Sequence, residues 1–333
     1  MPLWEPDLTW EFVALAHELD RSLADLALAS HGSSIPEAIN MDIVDEGRWD
    51  SVLKVLGLVA SYRRWGNSEV LVRVALRAAG EGGADTDLIR LTDLDIKPCK
   101  GCMACLFKGE RCAIGDDMPE LLDALTEADG LIIGAPTYML GPPGVVKMAM
   151  DRLIELMHPE RLKALTARRR ASGILIAATE PESWSPFTLP LLKLFCYACV
   201  APPVDWAVAK ASGPGEVALD ESALENAKRV GHNVVRAIKG EDIERPEGVC
   251  PVCGGRLLEF LGPDKVRCPL CGVEGGLVYE NGRFSVKFGP EALEMARWEL
   301  DNVLKHVREV IMPTRDRYLA LLPKIREALR RLA

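Results

Sequence analysis

Short apolar runs alternate with amphipathic stretches from residue 51 onward, beginning with SVLKVLGLVAS at 51, NSEVLVRVALRAAG at 67 and TDLIRL at 86. A strand covered on both faces reads as an unbroken apolar run, and the helix that covers it reads with a period of about 3.6 residues. The alternation therefore predicts parallel βαβ units. It continues through MPELLDALTEADG at 118, GLIIGAP at 130, a helix from Val145 to Met157, GILIAAT at 173, an apolar helix carrying Cys196 and Cys199, PVDWAVA at 203 and a helix ending at Gly240. Five strands with helices between them define an α/β fold, a doubly wound parallel sheet over residues 49–240. Asp116 and Asp117 are cap candidates for the helix at 118, with Pro119 in its first turn.

Three further segments surround this domain. Residues 1–48 read as a helical extension, with Trp10, Val13, Leu15, Leu19, Leu23 and Leu26 near one face, an appendage or dimer contact. After the charged linker GEDIERPEG, residues 246–288 read as a small β ribbon with a hairpin turn at Glu280-Asn281-Gly282, and 290–333 as a helix pair broken at Pro313.

The stretch PCKGCMACLFKGERC places Cys99, Cys102, Cys105 and Cys112 in one loop between the strand at 86 and the helix at 118. Two-residue gaps let a loop deliver three thiolates to three corners of a compact inorganic core, as in the bacterial ferredoxin run. No second such run exists to share ligands, so Cys112 completes the same centre and a 4Fe-4S cluster is inferred. Zinc, a redox disulfide and inert thiols are the alternatives, although tetrahedral zinc favours two knuckles from separate places. In an open α/β sheet this loop lies at the ligand-binding carboxyl edge. The turn SYRRWGNS after the first strand supplies Ser61, Arg63, Gly66, Asn67 and Ser68 at a helix start, where free backbone N–H groups attract phosphate; the same residues also suit ordinary capping.

The GNS turn, the cysteine run followed by DDM, and ADGLIIGAPTYMLGPPGVVKMAMDR, in that order, resemble the iron-sulfur flavoprotein family, a branch of the NADPH-dependent FMN reductase superfamily with a flavodoxin-like fold. The resemblance covers about residues 51–240. It implies an FMN phosphate on Ser61, Arg63, Gly66, Asn67 and Ser68, an isoalloxazine edge along Pro136, Thr137 and Tyr138, and a 4Fe-4S cluster on Cys99, Cys102, Cys105 and Cys112. It also implies an oxidoreductase fed by ferredoxin or NAD(P)H, passing electrons to a quinone, an oxygen species or a protein, and assembled as a homo-oligomer. Lys147, Asp151 and Arg152 fit a structural or dimer-forming helix. Two departures stand out: Trp65 is bulkier than is usual there, and TEPESWSPF lacks the glycines of many relatives, which leaves Trp184 to stack on the flavin or to pack. No proton-transfer residue is nominated.

Cys250-x2-Cys253 and Cys268-x2-Cys271 form two knuckles of the Cys-Pro-x-Cys-Gly type, a tetrahedral four-thiolate site. Glycine pairs or Gly-Val follow the knuckles in place of the aromatic residue of rubredoxin relatives, which favours zinc over a single rubredoxin-like iron. Cys196 and Cys199, in an apolar helix, read as core thiols. Two other readings remain: an NAD(P)H-dependent FMN or quinone reductase without a cluster, and a redox-sensing binding protein that uses the ribbon. The 49 acidic and 40 basic residues, net charge −9, give no footprint for nucleic acid. Arg168-Arg169-Arg170 reads as a solvated helix end. The lack of a signal-peptide pattern at MPLWEPDLTW and of long apolar runs leads to the expectation of a cytoplasmic protein without a membrane partner.

Overall fold

The computed structural model describes residues 52–332 apart from 182, 245 and 247. The chain divides into Met1–Asp45 and Glu46–Ala333. The helices expected over residues 1–48 lie outside the described residues.

Five parallel strands, β1 (Lys54–Val59), β2 (Asp85–Arg90), β3 (Gly130–Pro136), β4 (Ala171–Ala178) and β5 (Pro203–Lys210), pair in the order β2-β1-β3-β4-β5. The intervening helices are α1 (Asn67–Glu81), the short α2 (Ala104–Phe107), α3 (Met118–Glu127), α4 (Gly144–Arg152), α5 (Pro159–Thr166), α6 (Thr188–Ala198) and α7 (Glu221–Ile238). Leu71, Val72, Ala75, Val230 and Val234 of α1 and α7 pack on one face of the sheet. Met118, Leu121, Val146, Leu192, Phe195 and Cys196 of α3, α4 and α6 cover the other. That is why β4 is buried along its whole length and reads as a continuous apolar run. The strand order reverses between β1 and β3, and the crevice beyond their carboxyl ends is where such sheets bind ligands.

Helices α1 and α7 cross closely because Gly231 carries no side chain: a Cβ there would run into the Ala75 carbonyl. Backbone cannot yield as a rotamer can, so Gly231→Ala is expected to cost at least ~1–3 kcal/mol in urea unfolding. Gly80, also on α1, has nothing within 4 Å of its missing Cβ. Gly80→Ala should instead stabilise by about 0.5–1 kcal/mol, so a similar loss at both positions would refute the packing argument.

The ribbon forms a second, antiparallel sheet of β6 (Glu259–Phe260), β7 (Lys265–Arg267), β8 (Glu274–Glu280) and β9 (Arg283–Phe288). Asn281 and Gly282, at φ of 52° and 76°, make the expected tight hairpin turn. The terminal helices differ from expectation at their start. Residues 291–299 do not enter a regular helix but turn back onto the second knuckle, where the Arg297 amide donates to the Cys271 carbonyl at 2.8 Å and the Trp298 indole to the Leu270 carbonyl at 2.9 Å. Helix α8 (Leu300–Lys305) begins only after them, and α9 (Pro313–Leu332) starts at the proline expected to separate the pair.

Of the arginine run only Arg169 is exposed as a solvated helix end would be; Arg168 and Arg170 are not. Arg170 is buried, and its guanidinium donates to the carbonyls of Ala128 at 3.2 Å and Cys199 at 2.7 Å. Arg168 likewise donates to the Glu127 carbonyl and pairs with Asp129. Both fasten loops at the amino-terminal edge of the sheet. Among the described residues no helix is long and apolar enough to cross a membrane.

Candidate active site and metal centres

The loop after β1 makes a turn that ends at the start of α1. The Ser61 hydroxyl accepts from the Arg63 amide at 3.3 Å, Trp65 takes φ 53°, and Gly66 precedes the first helical residue with no side chain capping it. Bare N–H groups at the head of a fifteen-residue helix favour a dianion. The Ser68 hydroxyl is buried without a hydrogen-bond partner in the same turn, which leaves a donor for a ligand. Asn67 is committed elsewhere: its amide nitrogen donates to the Gly213 carbonyl at 2.9 Å, and its amide oxygen accepts from the Val217 amide at 3.2 Å. It ties the loop after β5 to α1 and has less to offer a phosphate than its neighbours. Arg63 remains exposed.

Glu69, in the first turn of α1, is buried and holds this loop from below. Its carboxylate accepts from the Trp65 amide at 2.8 Å and from Arg73, and pairs with the buried Arg90. Burial alone would raise its pKa, but the hydrogen bonds from Arg73 and Trp65 and the charges of Arg90 and Arg73 outweigh it and hold the carboxyl below its ordinary value.

The loop after β3 carries Pro136, Thr137 and Tyr138 to the same edge. The Thr137 hydroxyl lies 3.0 Å from that of Ser185 and 2.8 Å from that of Thr188, so the loops after β3 and β4 and the head of α6 share one hydroxyl network. Tyr138 and Gly141 bond reciprocally around Met139 and Leu140, both at positive φ (47° and 70°). Left-handed backbone in bulky residues costs about 1–3 kcal/mol each and collects at binding sites. Met139 is 98% exposed, and Tyr138, Trp184 and Phe187 also stand in solvent. Trp184 does not pack into the core; it belongs to an apolar rim.

The cysteine loop spans the gap from β2 to α3. The Gly101 amide donates to the Cys99 sulfur at 3.4 Å, with Gly101 at φ 66° to allow the turn. Cys99 and Cys102 are exposed, Cys105 buried and Cys112 between. Burial chiefly, then the charges of Glu155, Cys112, Cys102 and Cys99, push the Cys105 thiol up to about 11, so the other three sulfurs of the run all act on it. They are not drawn as tight as the ribbon quartet.

Two ion pairs that sequence reading missed support this loop. At its neck, Arg152 donates to both Asp116 oxygens at 2.6 and 3.2 Å and to the Lys97 carbonyl at 3.0 Å; both side chains are buried. Asp116 also accepts from the Lys97 and Met118 amides, whereas Asp117 reaches back to the Asp95 amide instead of capping α3. At its far end, buried Glu155 accepts from the Cys112 amide at 3.0 Å and pairs with Arg161 at 3.0 Å. An acid isolated in the apolar run LIELM was the available signal. Lys147 and Asp151 form only a surface pair.

The ribbon sulfurs of Cys250, Cys253, Cys268 and Cys271 all lie within 4.8 Å of one another and are buried. Each knuckle closes identically: Gly254 donates to the Cys250 carbonyl and Gly272 to the Cys268 carbonyl, both at 2.8 Å, with both glycines at positive φ. Hydrogen bonds from Cys250, Cys253 and Cys271 hold the Cys268 sulfur ionised well below its usual range. Cys196 and Cys199 are core residues; burial pushes Cys196 up to about 12 and raises Cys199 well above its ordinary value.

Parallel order 2-1-3-4-5, an uncapped helix start after β1 and a hydroxyl-lined loop after β3 define a flavodoxin-like domain. A family model for NADPH-dependent FMN reductase matches residues 53–178. An iron-sulfur flavoprotein of Methanocaldococcus jannaschii is 32% identical over 195 residues, 56% of this chain and 98% of that protein. A flavone synthase of Aspergillus candidus is 26% identical over 274 residues, 74% of this chain and 85% of its own length. Among solved structures, a flavone reductase superposes with a TM-score of 0.65 at 23% identity, covering 84% of this chain and 97% of that one. That share exceeds what the α/β domain alone can supply, so the likeness of fold extends beyond it. The chain belongs to the iron-sulfur flavoprotein family within the FMN reductase group and is an FMN-dependent oxidoreductase.

Proposed function

We propose that the chain passes electrons between a 4Fe-4S cluster on Cys99, Cys102, Cys105 and Cys112 and an FMN whose phosphate sits at the head of α1. The observation that carries this reading is the shared wall between the two loops. Arg90 and Thr92, at the start of the cysteine segment, donate to the Ser61 carbonyl in the phosphate turn at 2.9 and 3.2 Å, and Arg64 pairs with Asp93 at 2.9 Å. The cluster supplies single electrons and the flavin converts between one- and two-electron chemistry. Ser61, Arg63, Gly66 and Ser68 would bind the phosphate, with Asn67 bracing the turn. Thr137, held by Ser185 and Thr188, fixes the Pro136–Tyr138 backbone along the ring edge, and Tyr138 and Trp184 flank it. The amides of Gly101 and Cys112 set the orientation of the cluster loop.

The charge of that loop favours ferredoxin over NAD(P)H as donor. Lys97 and Arg111 pair with Asp95 and Asp123, which leaves the exposed Lys100 and Lys108 against Glu110 beside the exposed Cys99 and Cys102, in a chain of net charge −9. An acidic protein would be drawn there. On the flavin side, the rim of Tyr138, Met139, Trp184 and Phe187 suits a flat conjugated acceptor such as a quinone, in keeping with relatives named for flavone chemistry. The same rim gives a second copy of the chain an apolar face to cover. In the ribbon, complete burial and paired knuckles support zinc as a structural ion.

Cofactor analysis of protein purified without oxygen tests the reading: about four iron and four sulfide per FMN are expected. Cys99→Ala should lose the sulfide and its visible absorption while retaining FMN. FMN without sulfide in the unmodified protein would falsify the cluster and leave a simple reductase.

A further inference from the structure

We propose that Lys193 couples the metal centre of the ribbon to the flavin pocket through α6, so that occupancy of either site strengthens the other. The proposal rests on the FMN and ribbon-metal assignments above. Lys193 is only 1% exposed, yet it is a lysine in the middle of an otherwise apolar helix. Its ammonium donates to the Cys253 carbonyl at 2.6 Å and lies 3.3 Å from the centre of the Trp206 ring, on the edge strand against which Gly254 packs. One turn further along α6, the Tyr197 hydroxyl donates to the Val252 carbonyl at 3.4 Å, and its ring stacks on Trp298 at 5.4 Å. Trp298 holds the second knuckle through Leu270. Both halves of the four-thiolate site therefore bear on α6.

The opposite end of α6 builds the flavin loop. Thr188 bonds Thr137 at 2.8 Å, and the Phe187 amide, just before the helix, donates to the Leu140 carbonyl at 3.0 Å. At a rise of about 1.5 Å per residue, Thr188 and Lys193 are only ~7.5 Å apart along the axis. A divalent ion on four thiolates keeps a net negative charge, and a buried ammonium is favoured beside such a centre. Loss of the ion dismantles that centre and withdraws what holds Lys193 and Tyr197 inside, so α6 loosens and the Thr137–Thr188 contact with it. By linkage, FMN binding must in turn retain the metal.

The test uses the full FMN-loaded chain. A chelator is applied at a dose that leaves the cluster absorption unchanged, ribbon metal is followed with a metal-binding dye, and FMN release is followed by the recovery of flavin fluorescence. FMN should leave about tenfold faster from the stripped chain, and FMN-loaded protein should surrender its metal more slowly than FMN-free protein. Lys193→Met should lose metal faster than the unmodified chain and show FMN release that no longer depends on the metal. Equal FMN release with and without the metal in the unmodified chain, a measurement independent of how the variant folds, overturns the coupling and leaves the metal assignment standing. A ribbon that carries no metal in the unmodified chain overturns both.

Discussion

Asp116→Asn is expected to destabilise the protein by ~3–5 kcal/mol in urea unfolding and to make the cluster labile, while FMN stays bound. The substitution leaves one side-chain oxygen, so only one of the Lys97 and Met118 amides, which donate to different oxygens of Asp116, keeps its acceptor, and it removes the charge opposite Arg152. Both members of that pair are almost wholly out of solvent, at 2% and 0% side-chain exposure, so the abandoned guanidinium has no water to replace its partner. The pair closes the neck of the cysteine loop, which explains why the cluster should suffer before the flavin. Lys147→Met, which breaks the exposed pair with Asp151, should cost under about 1 kcal/mol and serves as the contrast. Acid titration gives an independent check. Burial would raise the pKa of Asp116, but the hydrogen bond and charge of Arg152 and the two amides overcome it and hold the carboxyl below its usual value. A depressed carboxyl contributes stability that is complete above the unfolded value near 3.9 and is lost as pH falls through the lower folded value. The corresponding acid transition should disappear in the asparagine variant. A loss below ~1 kcal/mol would mean that solvent screens the pair.

Cys253→Ser is expected to empty the ribbon of metal and unfold residues 249–288, with the α/β domain still folded. Four sulfurs within 4.8 Å, all buried, are a poor arrangement without a cation, and structural zinc sites supply about 10–16 kcal/mol of folding free energy. Half of the buried residues in the apolar cluster of the ribbon are the four cysteines themselves, beside Tyr197, Val273, Ala292 and Ala296, so the cluster loses its centre with the ion. Metal analysis with limited proteolysis reads the result: cleavage should move into 249–288 while the fragment before it resists. Acidification should act in the same direction, since ligand thiolates must be deprotonated to hold the ion. Full metal occupancy in the serine variant would sink the four-thiolate site.

The order of strands and helices, the four-cysteine ribbon and its hairpin turn were legible because each follows from local periodicity or spacing: β3 occupies the same seven residues, Gly130–Pro136, that its apolar run marks. The cysteine run and the turn at the head of α1 were legible as motifs. Their mutual support was not. Arg152 comes 36 residues after Asp116, and Arg90 follows Ser61 by 29; nothing in the neighbourhood of either residue marks its partner. Arg170 in the arginine run shows the reverse error, because a basic residue before a strand looks solvated until the carbonyls just past the ends of α3 and α6 are seen to converge on it.

The sequence by itself determined the fold class, the family and the grouping of eight cysteines into a loop run and a pair of knuckles, since alternation, turn chemistry and spacing are properties of the chain read in order. Only the tertiary structure decided what holds those ligands in place. Asp116 with Arg152, Glu155 with Cys112, Thr137 with Thr188 and Lys193 with the Cys253 knuckle are all buried or part-buried polar contacts between distant segments. Removal from water obliges each to find a partner, and which partner it finds is set by the packing of helices on the sheet.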